Sequence, residues 1–344
     1  MMPDTKSPPG GFFSHFPKHD FKKNAVIGIE MFGDKQFVAA LNEGVTRTLL
    51  FENPNFAFRG KPAPRDYGEY LAMADSHARG FGMDAFQAFL GFGPDRDPKG
   101  IDVPEELRHI RAPPEEFARR MESIDPICSV GLTYKGPFSE VVDGWPGGVG
   151  DCLMHLHESL LGSEANNEII ARIGRCTEEA VGAAKILERH ADFLVISEPS
   201  GSNNHIGPHH FERYVLPSYR DIAASTSIPV VVHLPGRVLK QIPLLKGSGV
   251  KGLMCGGEEG LPNVLNAVGC AMPVFGNVDE KLFYNGATVA DVRAEFGRCA
   301  SAYDNGPWVV HTSFWLPWNA DPGKVGYLSR LVTEYSGGLR IKVV

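Results

Sequence analysis

No stretch of this 344-residue chain holds the roughly 18 consecutive apolar residues that a membrane helix needs. The opening "MMPDTKSPPGGFFSHFPKHD" has no uninterrupted apolar core of the kind a secretion signal carries. The six cysteines, at 128, 152, 176, 255, 270 and 299, include no CxxC pair, which fits a reduced, cytoplasmic protein. There is no run or stripe of Lys and Arg, and 34 basic against 41 acidic residues leave a net charge of -7, so nucleic acid is not the expected partner. No GxGxxG follows a strand-like run and no GxxxxGK[ST] occurs, so dinucleotide and P-loop chemistry have no support. Nor is there a low-complexity tract.

What is present is ordinary globular material, 43% hydrophobic and 22% charged, enough for one large domain or two smaller ones. From residue 163 onward, helical and strand-like patterns alternate. A helix over 163–190 leads to the buried strand "DFLVISEP"; a helix over 208–222 leads to "PVVVHLPG". A short helix over 238–245 leads to "VKGLMCGG", then a helical turn or two over 261–268 to "MPVFGNVD". A helix over 288–303 leads to "PWVVHTSF", and a closing helix spans 322–335. Upstream, "RTLLFENP", "MDAFQAFLG" and "PICSVGLTY" read as three more strands. Eight strands with interleaved helices predict an α/β fold, a (β/α)8 TIM barrel over 46–344, with a doubly wound sheet as the competing arrangement. Residues 1–45 precede the first strand. They are expected to form an N-terminal arm or cap, a place where a homodimer contact is possible.

In such a barrel the chemistry sits where strands end and βα loops begin. Those ends carry Glu198, His233, Cys255, Asn277 with Asp279, and His311. Each residue alone has an ordinary reading. Glu198 and Asp279 can cap helices, Cys255 between Met254 and Gly256 can be a small buried residue, and either histidine can bond a carbonyl. Their joint position at one mouth is what points to Glu198, His233 and His311 as catalytic groups. Glu198, His233, Cys255 and His311 are also the residue types that bind zinc, at long-range spacing. The loop "EPSGSNNHIGP" offers Ser200, Ser202, Asn203, Asn204 and His205 to a polar ligand, with Asn277 and Asp279 as substrate-orienting groups. Phe138, Phe314, Trp315 and Trp318 are candidates for an apolar wall.

Three segments carry a family resemblance: "EPSGSNNHIGPHHFERYVLPSYRDI", "GNVDEKLFYNGATVADVRAEF" and "KGPFSE". Together they resemble the uroporphyrinogen decarboxylase superfamily from about residue 125 to the end. One branch of that superfamily decarboxylates porphyrinogens without a cofactor and carries an Arg-rich N-terminal signature. Here "FAFRGKPAPRDYGEY" has Arg59 and Arg65 but not that pattern, and "DAFQAFLGFG" ends in Gly where an acid is expected. The other branch holds corrinoid-dependent methyltransferases, whose acidic-Pro-Ser segment "EPSGS" is similar to. In the thiol-alkylating members zinc sits on His-X-Cys after strand 5 and on a Cys after strand 8. Here Pro235 stands two residues after His233, and strand 8 is followed by His311 and Ser313. The resemblance therefore implies a methyltransferase moving a methyl group between a small methylated compound (methoxy, methylamine or methylthiol type) and a corrinoid, as methylcobalamin or a related group. That corrinoid is expected to be carried by a separate protein. Zinc, if present, is expected on His233 with two of Glu198, Cys255 and His311. A cofactor-free decarboxylase and a non-catalytic ligand-binding relative are the alternatives.

Overall fold

A computed structural model describes residues 49–52, 64–89, 113–124, 129–158, 164–269, 271–284, 286–302, 307–313, 315–316 and 319–335. Contacts divide the chain into Met1–Gly33 and Asp34–Val344, and every described residue belongs to the second unit. The expected arm over 1–45 lies outside the described residues.

The strands are β1 (Leu49–Glu52), β2 (Ala85–Phe89), β3 (Ser129–Lys135), β4 (Phe193–Ser197), β5 (Val230–Leu234), β6 (Gly252–Cys255), β7 (Val274–Phe275) and β8 (Trp308–Val310). All pair in parallel in sequence order, and the curled sheet returns on itself where Leu49 meets Val309. The helices are α1 (Tyr67–Gly80), α2 (Pro114–Ile124), α3 (Pro137–Asp143), α4 (Gly148–Glu158) and α5 (Glu164–Leu187), followed by α6 (Leu216–Ser225), α7 (Ile242–Leu245), α8 (Leu261–Val268), α9 (Val289–Ala300) and α10 (Pro322–Tyr335). The α/β alternation expected from residue 163 onward is present. Among the described residues no helix is long and apolar enough to cross a membrane.

Alternation along the strands sorts the side chains into two cores. Ala85, Phe193, Val195, Val231, Met254, Phe275 and Val309 fill the inside of the sheet. Their neighbours Leu194, Ile196, Val230, Val232, Leu253, Val274, Trp308 and Val310 face the helices. This is why "FLVIS" and "VVVHL" are buried along their whole length: each strand is covered on both faces.

Two helices depart from their sequence patterns for local reasons. The helix expected over 208–222 contains a π turn, Phe211–Val215, just ahead of Pro217. Proline has no N–H and its ring crowds the carbonyl four residues back, and the wider turn accommodates both. The helix expected from Val238 is regular only over Ile242–Leu245, and ahead of it the Glu259 carboxylate accepts the Val238 N–H at 2.5 Å and the Leu239 N–H at 2.8 Å. The start of α9 follows its sequence, with Thr288 and Asp291 forming a reciprocal capping box.

Candidate active site

β4 and β5 pair Ser197 directly with His233 at the C-terminal edge of the sheet. Both continue the inward alternation of Phe193–Val195 and of Val231, so their side chains meet inside the mouth. Ser197 Oγ lies 3.1 Å from His233 Nδ1. His233 is 1% exposed. Burial pushes its pKa from the ordinary 6.5 down to about 3, and the nearby His311 opposes its charging further. The imidazole is thus neutral throughout the physiological range. His311, at the end of β8, is buried beside it, and its Nδ1 donates to the Thr312 carbonyl. A carbonyl can only accept, so Nδ1 carries the hydrogen. The Trp315 ring lies 5.6 Å from the His233 ring, tilted by 43°.

Deeper in the sheet, Gln87 Nε2 donates to Thr133 Oγ1 at 2.5 Å, and both residues are buried. Gln87 and Thr133 are not candidates on strand-end position, whereas Ser197 is the last residue of β4 and was passed over for its neighbour Glu198. The available signal was a lone polar residue inside an apolar strand, as in "AFQAF" and "FLVIS".

Several expected site residues stand elsewhere. Glu198 is fully buried but turns out of the sheet toward α3, where its carboxylate accepts the Ser139 backbone N–H. Ser139 Oγ in turn accepts the Ser200 N–H at 3.0 Å. Glu198 therefore ties the "EPSGS" loop to "KGPFSE", which gives the two family-like segments a physical link. Burial raises its pKa from 4.5 to about 7, against the hydrogen bonds from Ser139. Gly136 is required for the fit, since a Cβ there would lie 2.1 Å from Glu198 Oε2. Gly136→Ala is expected to lower stability by about 1–3 kcal/mol through this overpacking, read as a fall in Tm.

Cys255 follows the inward-facing Met254 and so faces the helices, where it joins the outer core. Its Sγ lies 3.9 Å from the Phe275 carbonyl. Burial, with Glu259 and Cys299 nearby, pushes the thiol up to about 12, so it stays protonated. Asn277 turns toward α9: it donates to the Gly256 carbonyl at 3.3 Å and accepts from Arg298 Nη2 at 3.3 Å. Asp279 caps the 3-10 turn Glu280–Phe283 by accepting the Lys281 N–H at 3.0 Å. Asp279→Ala is expected to cost about 1 kcal/mol of stability with activity unchanged, measured as Tm and initial rate on one sample. Phe138 is packed in the outer core, while Phe314 and Trp318 lie outside the described residues. In the loop after β4, Ser202 is buried and the Asn203 N–H donates to the Arg237 carbonyl. Asn204 bridges to Glu258, and His205 is exposed.

Zinc needs at least three protein donors at catalytic sites. Among the described residues no three of His, Cys, Asp and Glu gather at metal-binding separations. The expected set is divided: His233 and His311 share the mouth, Glu198 is held at α3, and Cys255 faces the helix layer. The described donor set does not fit the zinc site expected from the sequence.

Residues 162–335 match the family model described as uroporphyrinogen decarboxylase (URO-D), half of the chain. The chain belongs to the URO-D family. The matched span carries Ser197, Glu198, His233 and His311. Within this family setting, one curated relative is the methylated-thiol–coenzyme M methyltransferase of Methanosarcina mazei. It is 31% identical over 81 residues, which are 23% of this chain and 22% of that protein, so the chain aligns with about a fifth of the relative's length. A solved methyltransferase from Methanosarcina mazei matches with a TM-score of 0.67 at 16% identity, covering 88% of this chain and 99% of the other. A B12-independent methionine synthase from Shewanella sp. W3-18-1 matches with a TM-score of 0.53 at 10% identity, covering 78% and 88%. At those identities the likeness shows the shared fold alone.

Proposed function

We propose that this URO-D family chain is a complete (β/α)8 barrel acting as a methyltransferase between a small methylated substrate and a corrinoid carried by a separate protein. The carrying observation is the pair of buried histidines at the mouth, with His233 held neutral. A neutral His233 can hydrogen-bond an uncharged substrate without supplying positive charge. Among the described inward-facing strand residues the one cation is Lys135, and it is ion-paired with Glu140 and Asp143 at 3.1 Å each. The short alignment with a methylated-thiol methyltransferase supports methyl transfer independently. The free, scattered cysteines Cys152, Cys176, Cys255 and Cys299 suit work in the reducing cytoplasm.

In this reading the partner's corrinoid is a second substrate, and the nucleophile that takes the methyl comes with it. The chain's own residues act on the first substrate. Displacement of a methyl group leaves the bonding electron pair on the heteroatom it departs from, which becomes negative when that atom is an ether oxygen or a thioether sulfur. A neutral imidazole N–H donor aimed at that atom lowers the barrier without the cost of burying a cation. The Trp315 ring lies beside that of His233 and adds apolar surface next to it.

The test is to incubate the protein with reduced cobalamin and, in turn, methoxy, methylamine and methylthiol compounds, following the visible spectrum. Growth of the methylated corrinoid spectrum with at least one class is expected. Release of carbon dioxide from a porphyrinogen, with no methyl transfer, would assign the decarboxylase activity instead.

A further inference from the structure

We propose that His157 and His210 form a two-histidine site for a divalent transition-metal cation of the zinc, nickel or copper class, where α4 meets the helix that follows the β4 loop. The site is separate from the histidine pair at the barrel mouth, and it does not rest on the methyltransferase reading.

The two residues come from different excursions of the chain. His157 is in the last turn of α4, which follows β3 and α3. His210 ends the short helical turn Pro208–His210, which follows the β4 loop and runs into the π turn. Their ring centroids lie 4.8 Å apart, with the ring planes at 64°. Two imidazoles on one cation, each with a nitrogen–metal distance of about 2.0–2.1 Å, place their centroids about 5 Å apart when the angle at the metal is tetrahedral. The observed separation matches that of a ligand pair.

His210 carries the second observation. It is 8% exposed. Its ring hydrogen-bonds the Leu156 carbonyl. Its Nε2 is buried with no hydrogen-bond partner, so Nδ1 makes that bond. A carbonyl can only accept, so Nδ1 carries the hydrogen. Burial, then the neighbouring His157, lowers the pKa of His210 below 6.5. At neutral pH the ring is therefore uncharged, and Nε2 holds a lone pair that nothing in the protein uses. Metal-binding imidazoles are arranged in this way: one nitrogen donates to a backbone carbonyl and fixes the ring, and the other faces the cation. His157 is exposed and supplies the solvent-facing ligand.

The neighbours narrow both the ligands and the cation. His155 stands two residues before His157, so it projects from another side of α4, and it pairs with Asp151 at 3.4 Å. The exposed His209 has its ring 5.8 Å from that of His210. Among the described residues no carboxylate or thiol joins the pair as a third ligand. Calcium and magnesium take oxygen donors, whereas imidazole suits zinc, nickel and copper. Arg213 adds positive charge near His210, so the cation is held by nitrogen lone pairs rather than by charge. With two protein ligands, solvent completes the shell, and binding is weaker than in a closed structural site.

The test uses the full chain, stripped with a chelator and kept at a pH where imidazoles are neutral. Copper(II) is titrated with EPR as the readout, and zinc(II) with calorimetry and Tm. Copper is expected to show two imidazole nitrogens at its strongest site, and zinc to raise Tm. His157→Ala, an exposed change that leaves the core intact, is expected to remove one nitrogen, weaken zinc about tenfold or more and abolish the Tm rise. His210→Gln is expected to weaken zinc likewise. His155→Ala and His209→Ala are expected to bind as wild type does. Wild-type zinc affinity in His157→Ala, loss of binding through His155 or His209 instead, or no binding by the wild type would each overturn the assignment.

Discussion

Glu198→Gln is expected to stabilise the protein at pH 8 and to change little at pH 5. The reason is the buried carboxyl at α3, whose pKa is raised from 4.5 to about 7 by burial. A carboxyl with a raised folded-state pKa contributes stability that is fully present below its unfolded pKa and is lost as pH rises through the folded one. For Glu198 the loss runs from about pH 4.5 to about pH 7, because the unfolded chain ionises first while the folded chain must ionise in a dry site. The shift corresponds to about 3 kcal/mol at most. Glutamine keeps the shape and an oxygen for the Ser139 N–H but cannot ionise, so it removes the loss. Tm measured for both proteins from pH 5 to pH 8 checks this: the gap is expected to widen by several degrees as pH rises. A constant gap would mean that Glu198 is not a buried titrating group.

The largest effect on turnover is expected at His233. His233→Ala removes the neutral donor at the mouth, and by analogy with the loss of one preorganised donor elsewhere the rate falls about 10²–10³-fold. Fold stability is expected to change less, because the flanking Val231, Val232 and Leu234 keep β5 buried on both faces. His233→Gln is the informative companion. Its amide nitrogen reaches about as far as Nε2, so a donor is partly restored, and about a tenth of the lost rate should return. Equal rates for His233→Ala and His233→Gln would show that the ring does more than donate a hydrogen bond.

Much of the architecture was legible because the pattern is local. Buried β-branched strands alternating with helical periods gave the strand positions, and the ends at His233 and His311 do lie at one mouth. What strand ends alone did not settle was which face a side chain takes, a matter of one residue. In "FLVISE", Phe193, Val195 and Ser197 point inward, so Glu198 points out; in "GLMC", Met254 points inward, so Cys255 points out. Period-two counting along β4 and β6 would have separated those residues from the histidines and brought Ser197 forward. Asn277 was beyond such counting, because β7 is regular over just Val274–Phe275 and the chain has turned before Asn277. The meeting of Glu198 with Ser139 joins positions 59 apart in sequence, and nothing local announces it.

The most direct test follows the methyl carbon itself. A substrate carrying a carbon-13 methyl group is mixed with the protein and reduced cobalamin, and the label is followed by NMR. The account predicts that the label appears on the corrinoid in step with the demethylated product, and that His233→Ala slows both together. A label that stays on every methylated compound tried, with the protein folded and the cobalamin reduced, would contradict it.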